Sequence, residues 1–297
     1  MRDQFSVSRR AVLAAVAAAL VVPHRMLMGD DRQKRDLRTR LNHVYIVLDE
    51  ESWMQIRNGS MLEALGAVDA GLPKFRPATA SDHVLYVRGV HTYLEIMGPQ
   101  NRFGEPVGRV GIGLSVDVPD DLDALENLLR PTCTVERVHQ EVTWDVESPQ
   151  PWMDTLWFPC FEGASVAVWV SAYHPEFVRW LSSGKRHGTR REDFLSSVYD
   201  PGKPLVDLRR IEFPVGGDQK KCLDHILRST AWEADRASGW GNGETTIRTS
   251  GRAEVNAGAV TVGMDLQRPV AASHAGRVSL LPRSRNGSEH SLDFQQR

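Results

Sequence analysis

The residues best placed to do chemistry sit on alternating, strand-like segments. His43 opens the run His43-Val44-Tyr45-Ile46-Val47-Leu48, where its imidazole is a candidate metal ligand or a strand histidine hydrogen-bonded inside a concave face. Glu95, in Thr92-Tyr93-Leu94-Glu95-Ile96, carries a carboxylate that Arg88 or Arg109 could pair. His83, His91 and His174 are spare imidazoles that could complete a site, or plain loop and strand-edge residues. Tyr45, Tyr93, Trp144 and Trp169 could stack on an aromatic ligand or pack a core.

Strands must position these groups, and the strands recur. His43 to Asp49 runs into a helix-like segment, and Gly111-Ile112-Gly113-Leu114-Ser115-Val116-Asp117 does the same before Asp120 to Leu129. This is an internal repeat of a strand-helix unit in which the second copy has glycine where the first has histidine. Residues two apart on a strand share a face. His43, Tyr45 and Val47 therefore oppose Val44, Ile46 and Leu48; Tyr93, Glu95 and Met97 oppose Leu94 and Ile96; Gly111, Gly113, Ser115 and Asp117 oppose Ile112, Leu114 and Val116. Each strand has an aliphatic face suited to lie under a helix and a face that is polar, aromatic or small. Three such faces turned together line a cup. Gly111 and Gly113 either permit close strand packing or leave room for a ligand.

Along the rest of the chain, Glu50 to Leu65 reads as a helix interrupted near Asn58-Gly59, and Asp82 to Arg88 and Thr92 to Met97 as strands joined at Gly89. Thr134 to Val146 and Leu156 to Phe161 have strand composition, Ser165 to Tyr173 is the clearest strand of the second half, and Pro175 to Leu181 looks helical. Leu208 to Pro214 leading into Lys220 to Arg228 is a third strand-helix candidate, with Thr245 to Arg248, Arg252 to Val255 and Ala259 to Leu266 as further strands. From Pro269 onward Ser, Arg, Gly, His and Gln dominate with little periodicity, so 269–297 reads as a disordered tail.

With 297 residues, 41% hydrophobic and 25% charged, the chain can bury a sizeable core, and its 36 Lys and Arg against 38 Asp and Glu give no argument for a nucleic-acid partner. Ser8-Arg9-Arg10 before the apolar run Ala11 to Val22 resembles a bacterial twin-arginine export signal. The run is shorter than the ~20 residues a spanning helix needs, so a removed signal is expected, with membrane contact only through this segment and an anchor if it is not cleaved. Residues 1–40 then read as signal and charged linker, and the protein as exported. Cys133, Cys160 and Cys222 are odd in number and lack C-x-x-C spacing, which argues against a zinc site or a disulfide framework and leaves buried free thiols, with one pair oxidised outside the cell as the alternative. No G-x-S-x-G, H-E-x-x-H or P-loop is present, and the glycines of Gly108 to Gly113 fall inside an alternating strand rather than at a strand-to-helix turn.

The order strand, helix, hairpin, strand, with Asn42-His43-Val44-Tyr45, Thr92-Tyr93-Leu94-Glu95-Ile96 and Gly111 to Asp117 before a helix, resembles the glyoxalase, bleomycin-resistance and dioxygenase superfamily, also called vicinal oxygen chelate. Leu41 to Pro214, including Tyr173-His174-Pro175 and Arg210-Ile211-Glu212-Phe213-Pro214, is similar to a bacterial glyoxalase-like family. The resemblance implies an α+β fold of repeated βαβββ modules forming a cupped mixed sheet with helices outside. Paired modules would occupy 41–200, and a third strand-helix unit at 201–268 would pack on the pair. A homodimer is a further implication, because some members build their cups across a dimer interface.

In enzymes of that superfamily a His on the opening strand and a Glu on a later strand hold a divalent metal with matching residues of the partner module. His43 and Glu95 match the first pair; Zn, Ni, Mn or Fe would suit them. Gly111 stands where a second His belongs, Ser171 and Ala172 where a carboxylate belongs, and Arg210 in the third unit. Two protein ligands fall short of the three that catalytic sites usually offer. Two functional expectations follow. One is a protein that binds a small molecule in the cup without a complete metal site, using Tyr45, Tyr93, Gly111, Gly113, Ser115 and Trp169. The alternative is a metal-dependent lyase, isomerase or dioxygenase that uses His43 and Glu95.

Overall fold

A computed structural model describes residues 37–73, 75–195, 198–235, 239–250, 259–283 and 288–295. The signal segment and the strand expected at Arg252 to Val255 lie outside them. Among the described residues no helix is long and apolar enough to cross a membrane.

The first module is β1 (Arg40–Val47), α1 (Glu50–Asn58), α2 (Met61–Leu65), β2 (Val68–Asp69), β3 (Val84–Arg88) and β4 (Tyr93–Met97). Asp49 caps α1 by accepting from the Ser52 N–H at 2.9 Å, Glu50 and Glu51 fill its first turn, and the helix breaks at Gly59. The second module is β5 (Val110–Ser115), α3 (Pro119–Leu129), β6 (Glu136–Val142), β7 (Gln150–Trp157) and β8 (Val166–Tyr173). Together they make one eight-stranded mixed sheet, ordered β2-β3-β4-β1-β5-β8-β7-β6. Two short helices, α4 (Pro175–Leu181) and α5 (Arg191–Leu195), follow. Arg40, placed in the linker on composition, already belongs to β1.

The remainder repeats the plan. The third module is β9 (Leu205–Pro214), α6 (Gly217–Arg228), β10 (Glu233–Ala234), β11 (Gly239–Gly241) and β12 (Thr246–Ser250). The fourth is β13 (Ala259–Leu266), β14 (Ser273–Ala275), β15 (Val278–Pro282) and β16 (Glu289–Gln295). The second sheet has the order β10-β11-β12-β9-β13-β16-β15-β14, position for position that of the first. The tail expected to be disordered thus supplies three strands, and the third unit is half of a second eight-stranded sheet. Val278, Leu280, Leu292 and Phe294 are the buried alternate residues of β15 and β16; in such short strands, rich in polar outward residues, composition masks a period of two.

Among the described residues the fourth module has no helix, and its strands run differently. In the second module β8 is parallel to β5, whereas β16 is antiparallel to β13. A crossover helix adds one reversal of chain direction. Without it, each later strand of the unit points the opposite way while the order across the sheet is kept.

Aliphatic strand faces and helices share one core: Val44, Ile46, Ile96, Ile112 and Val170 of the first sheet, Ile211, Phe213, Val262 and Leu292 of the second, and Trp53, Leu122, Leu125, Leu223 and Ile226 from α1, α3 and α6. The sheets are also tied by polar contacts, with buried Asp207 of β9 accepting from the His91 and Thr92 N–H groups at 2.8 and 2.9 Å. A disulfide joins Cys160, just after β7, to Cys222 on α6. Two of the three expected free thiols are therefore paired. Cys133 stays free, its Sγ 3.6 Å from that of Cys222.

Candidate functional site

The inner face of the first sheet gathers the residues singled out by type and spacing. In register, His43 lies beside Tyr93 and Gly113, Tyr45 beside Glu95 and Gly111, and Gly113 beside Trp169. All are buried. The His43 ring stacks on Tyr93 at 4.4 Å between centroids and meets the edge of Trp169 at 5.2 Å; Tyr45 also stacks on Trp169, at 5.7 Å. The room left by the two glycines is occupied. A Cβ at Gly113 would lie 2.7 Å from the His43 ring and 3.0 Å from Trp169, and one at Gly111 would overlap the Tyr45 ring. These glycines admit the chain's own rings, as the close-packing alternative expects. Ser115 accepts from Asn42 Nδ2 at 3.3 Å.

Asn42 also sets the state of His43. Asn42 Oδ1 lies 2.8 Å from His43 Nδ1 and accepts from the Tyr173 hydroxyl at 3.2 Å, so Nδ1 carries the proton and Nε2 the lone pair. Burial, helped by the Arg88 charge, lowers the His43 pKa to about 3 and keeps the ring neutral. Glu95 accepts from the Tyr86 hydroxyl at 2.7 Å, and Arg102 donates to that hydroxyl at 3.1 Å. Burial raises the Glu95 pKa to about 7, against the opposing pull of the Tyr86 bond, Arg102 and Arg88. The expected partners of Glu95 are engaged elsewhere. Arg88 is bidentate to Asp69 at 2.9 and 3.0 Å and lies 4.4 to 5.7 Å from the ring centres of Tyr86, Tyr93, Phe75 and Phe194; Arg109 pairs with Glu105 at 3.2 Å.

Phe177 of α4 and Phe194 of α5 close over this face, with Phe194 4.8 Å from Tyr173 and 6.1 Å from Tyr93. Beside it, Arg102 stacks on Phe103 and Trp144, and the Trp144 indole N–H donates to the Leu72 carbonyl at 3.0 Å. Tyr86 and Arg102 were not singled out from sequence, Asn42 stood there only as the neighbour of His43, and Arg88 only as a possible partner of Glu95. The two-residue period applied to Val84-Leu85-Tyr86-Val87-Arg88 would have placed Tyr86 and Arg88 on the inner face, but nothing local marks Arg102.

The donors here do not fit a metal. Among the described residues, His43 and Glu95 belong to no group of three His, Cys, Asp or Glu side chains with converging ligand atoms. The residues facing them are glycine, Trp and Tyr, and one oxygen of Glu95 is taken by Tyr86. Of the spare imidazoles, His91 faces Asp207 at 3.0 Å and His83 stacks on Trp53 at 6.2 Å. His174 joins His139 and Asp154 in a group that could hold a metal ion. Neither His139 nor Asp154 was singled out from sequence, since the pairing of β6 with β7 that brings them together is not visible there.

Residues 41–294 match a family of unknown function, DUF5829. The chain belongs to that family. A search of curated proteins finds no match to this DUF5829 chain. Among solved structures, it is similar to 2,2',3-trihydroxybiphenyl 1,2-dioxygenase from dibenzofuran-degrading Sphingomonas wittichii strain RW1 (10% identity, 88% of this chain and 91% of that one, TM-score 0.45). It is also similar to a hypothetical protein from Staphylococcus aureus (8%, 72% and 86%, TM-score 0.42) and to a catechol 2,3-dioxygenase (12%, 77% and 63%, TM-score 0.37).

Proposed function

We propose that this chain is an exported member of the vicinal oxygen chelate superfamily that binds a small planar molecule in the cup of its first sheet without a metal at His43 and Glu95. The βαβββ modules support the superfamily reading. The Cys160–Cys222 disulfide supports an oxidising compartment, consistent with the twin-arginine-like start. The observation that carries the binding reading is the pair of buried ionisable groups on the inner face, neutral His43 and a carboxyl at Glu95 that titrates near neutrality. Packing alone does not call for them, because a buried polar group costs free energy that an apolar residue would not.

A ligand would displace Phe194 and the Arg102–Trp144 contact, slide between the rings of Tyr93, Tyr45 and Trp169, and donate a hydrogen bond to His43 Nε2. A planar hydroxylated compound meets those demands. The test is a thermal-shift screen of such compounds, with metal content measured by plasma mass spectrometry on tag-free protein. A compound that stabilises wild type but not His43→Gln supports the reading. One metal per chain, lost in both His43→Ala and Glu95→Ala, overturns it in favour of the metal-dependent lyase, isomerase or dioxygenase.

A further inference from the structure

We propose that His139, Asp154 and His174 form a binding site for one zinc-class divalent ion on the outer face of the first sheet. The site is separate from the cup. Thr155 and Met153 pair in register with Ser171 and Tyr173 on the inner side, whereas Asp154 pairs with His139 and Ala172 on the other, and His174 is two residues on from Ala172. Two imidazoles and a carboxylate are a donor set suited to zinc and its transition-metal neighbours.

One ligand atom from each residue lies within 4.8 Å of the others. Asp154 Oδ1 faces both rings, 2.9 Å from His139 Nδ1 and 3.6 Å from His174 Nε2, and the rings sit edge to face with centroids 4.9 Å apart. Donors held ~2.1 Å from a shared zinc in tetrahedral geometry stand about 3.4 Å apart, so side-chain rotation of an ångström or so closes the site.

The surroundings provide what ligands need to hold their orientation. Arg137 Nη2 grips Asp154 Oδ2 at 2.8 Å and leaves Oδ1 turned to the imidazoles. Arg137 is itself anchored on α3 through Asp123 and, at 3.2 Å, Glu126. The His174 backbone N–H donates to the Trp152 carbonyl at 3.0 Å, and Pro175 starts α4 directly behind it. The three side chains are 48%, 23% and 31% exposed, so an ion can enter and keep one coordination position for water. Bound there, it would clip the edge strand β6 to β7 and to the start of α4.

The test is titration of metal-free, tag-free protein with zinc sulfate by calorimetry, and cobalt(II) absorption to report nitrogen and oxygen ligation. One zinc per chain is expected, unchanged in His43→Ala/Glu95→Gln and at least about tenfold weaker in each of His139→Gln, Asp154→Asn and His174→Gln. His139 is exposed and Asp154 and His174 are partly so, and apo unfolding temperatures equal to wild type establish that the variants fold. No binding by wild type, or wild-type affinity in the His139→Gln/His174→Gln double variant, overturns the proposal. Because the cup residues are varied separately, failure here leaves the reading of the cup untouched.

Discussion

Glu95→Gln tests whether the inner carboxyl is a buried acid or a charged ligand. The Glu95 pKa rises from 4.5 to about 7 under burial, opposed by the Tyr86 bond, Arg102 and Arg88 and assisted by Glu105. A raised carboxyl pKa means that the folded chain keeps a proton that the unfolded chain has released. Stability from this group is full below pH 4.5 and is lost as pH climbs through about 7. At 1.36 kcal/mol per unit the loss is about 3 kcal/mol. His43 works in the opposite direction: its pKa falls from 6.5 to about 3, so stability is full above 6.5 and is lost as pH falls toward 3. In wild type the two slopes cancel between 4.5 and 6.5. Glutamine removes only the Glu95 slope. Urea unfolding followed by tryptophan fluorescence should show the variant gaining on wild type by about 3 kcal/mol from about pH 4.5 to pH 8. A variant-minus-wild-type difference that does not change with pH would sink the argument. That outcome would mean a Glu95 that is ionised in the fold across this range, as the metal-dependent reading requires.

The remaining predictions concern the packing that shapes the cup. Gly113→Ala should destabilise the fold by about 1–3 kcal/mol by pushing the His43 and Trp169 rings apart, and an unchanged melting temperature would show that they have space to move. Asp69→Asn strips buried Arg88 of its carboxylate and should cost about 3–5 kcal/mol in chemical denaturation; a change within 1 kcal/mol or so would show that the surrounding rings alone hold the guanidinium. Removing both Cys160 and Cys222 should lower stability by about 4 kcal/mol for their sequence separation of 62, measured against wild type in non-reducing urea. Cys160→Ser alone, exposed to oxidised glutathione, should instead yield a Cys133–Cys222 crosslink in peptide mapping, because those sulfurs already lie 3.6 Å apart; free thiols at both would refute this.

What the sequence disclosed depended on the range of the interaction. The α1 break at Gly59, the β3–β4 hairpin and the faces of β1, β4 and β5 follow from local chemistry and a period of two, and all were legible. Pairings between distant strands were not. The meeting of His139 with Asp154, the filling of the cup by Phe177 and Phe194, and the Asp69–Arg88 pair depend on contacts that no local spacing encodes. The strands after Pro269 were hidden by polar outward residues, and the absent helix removed the strand-helix alternation by which the other modules announce themselves.

The second sheet bears on what the glycines of the first are for. His43 faces Gly113 across β1 and β5, and Arg210 faces Gly263 at the same place across β9 and β13. A Cβ at Gly263 would come within 2.9 Å of that of Arg210, just as one at Gly113 would crowd His43. The glycine therefore recurs while its partner changes from a neutral imidazole to a cation bonded to Glu212 at 2.5 Å. Its recurrence opposite a different chemistry is what a packing role predicts. It reappears because the two central strands of each sheet must let an inward side chain lie across the neighbouring backbone. The repeated element is thus a packing device, and the functional signal resides in what differs between the two faces. The first holds His43 and Glu95 under a roof of aromatic rings. The second carries half-exposed ion pairs, Arg209 with Asp265 and Arg283 with Asp293. Among the described residues, only the first offers a dry, aromatic enclosure around two buried ionisable groups, and the proposed small-molecule site is placed there on that ground.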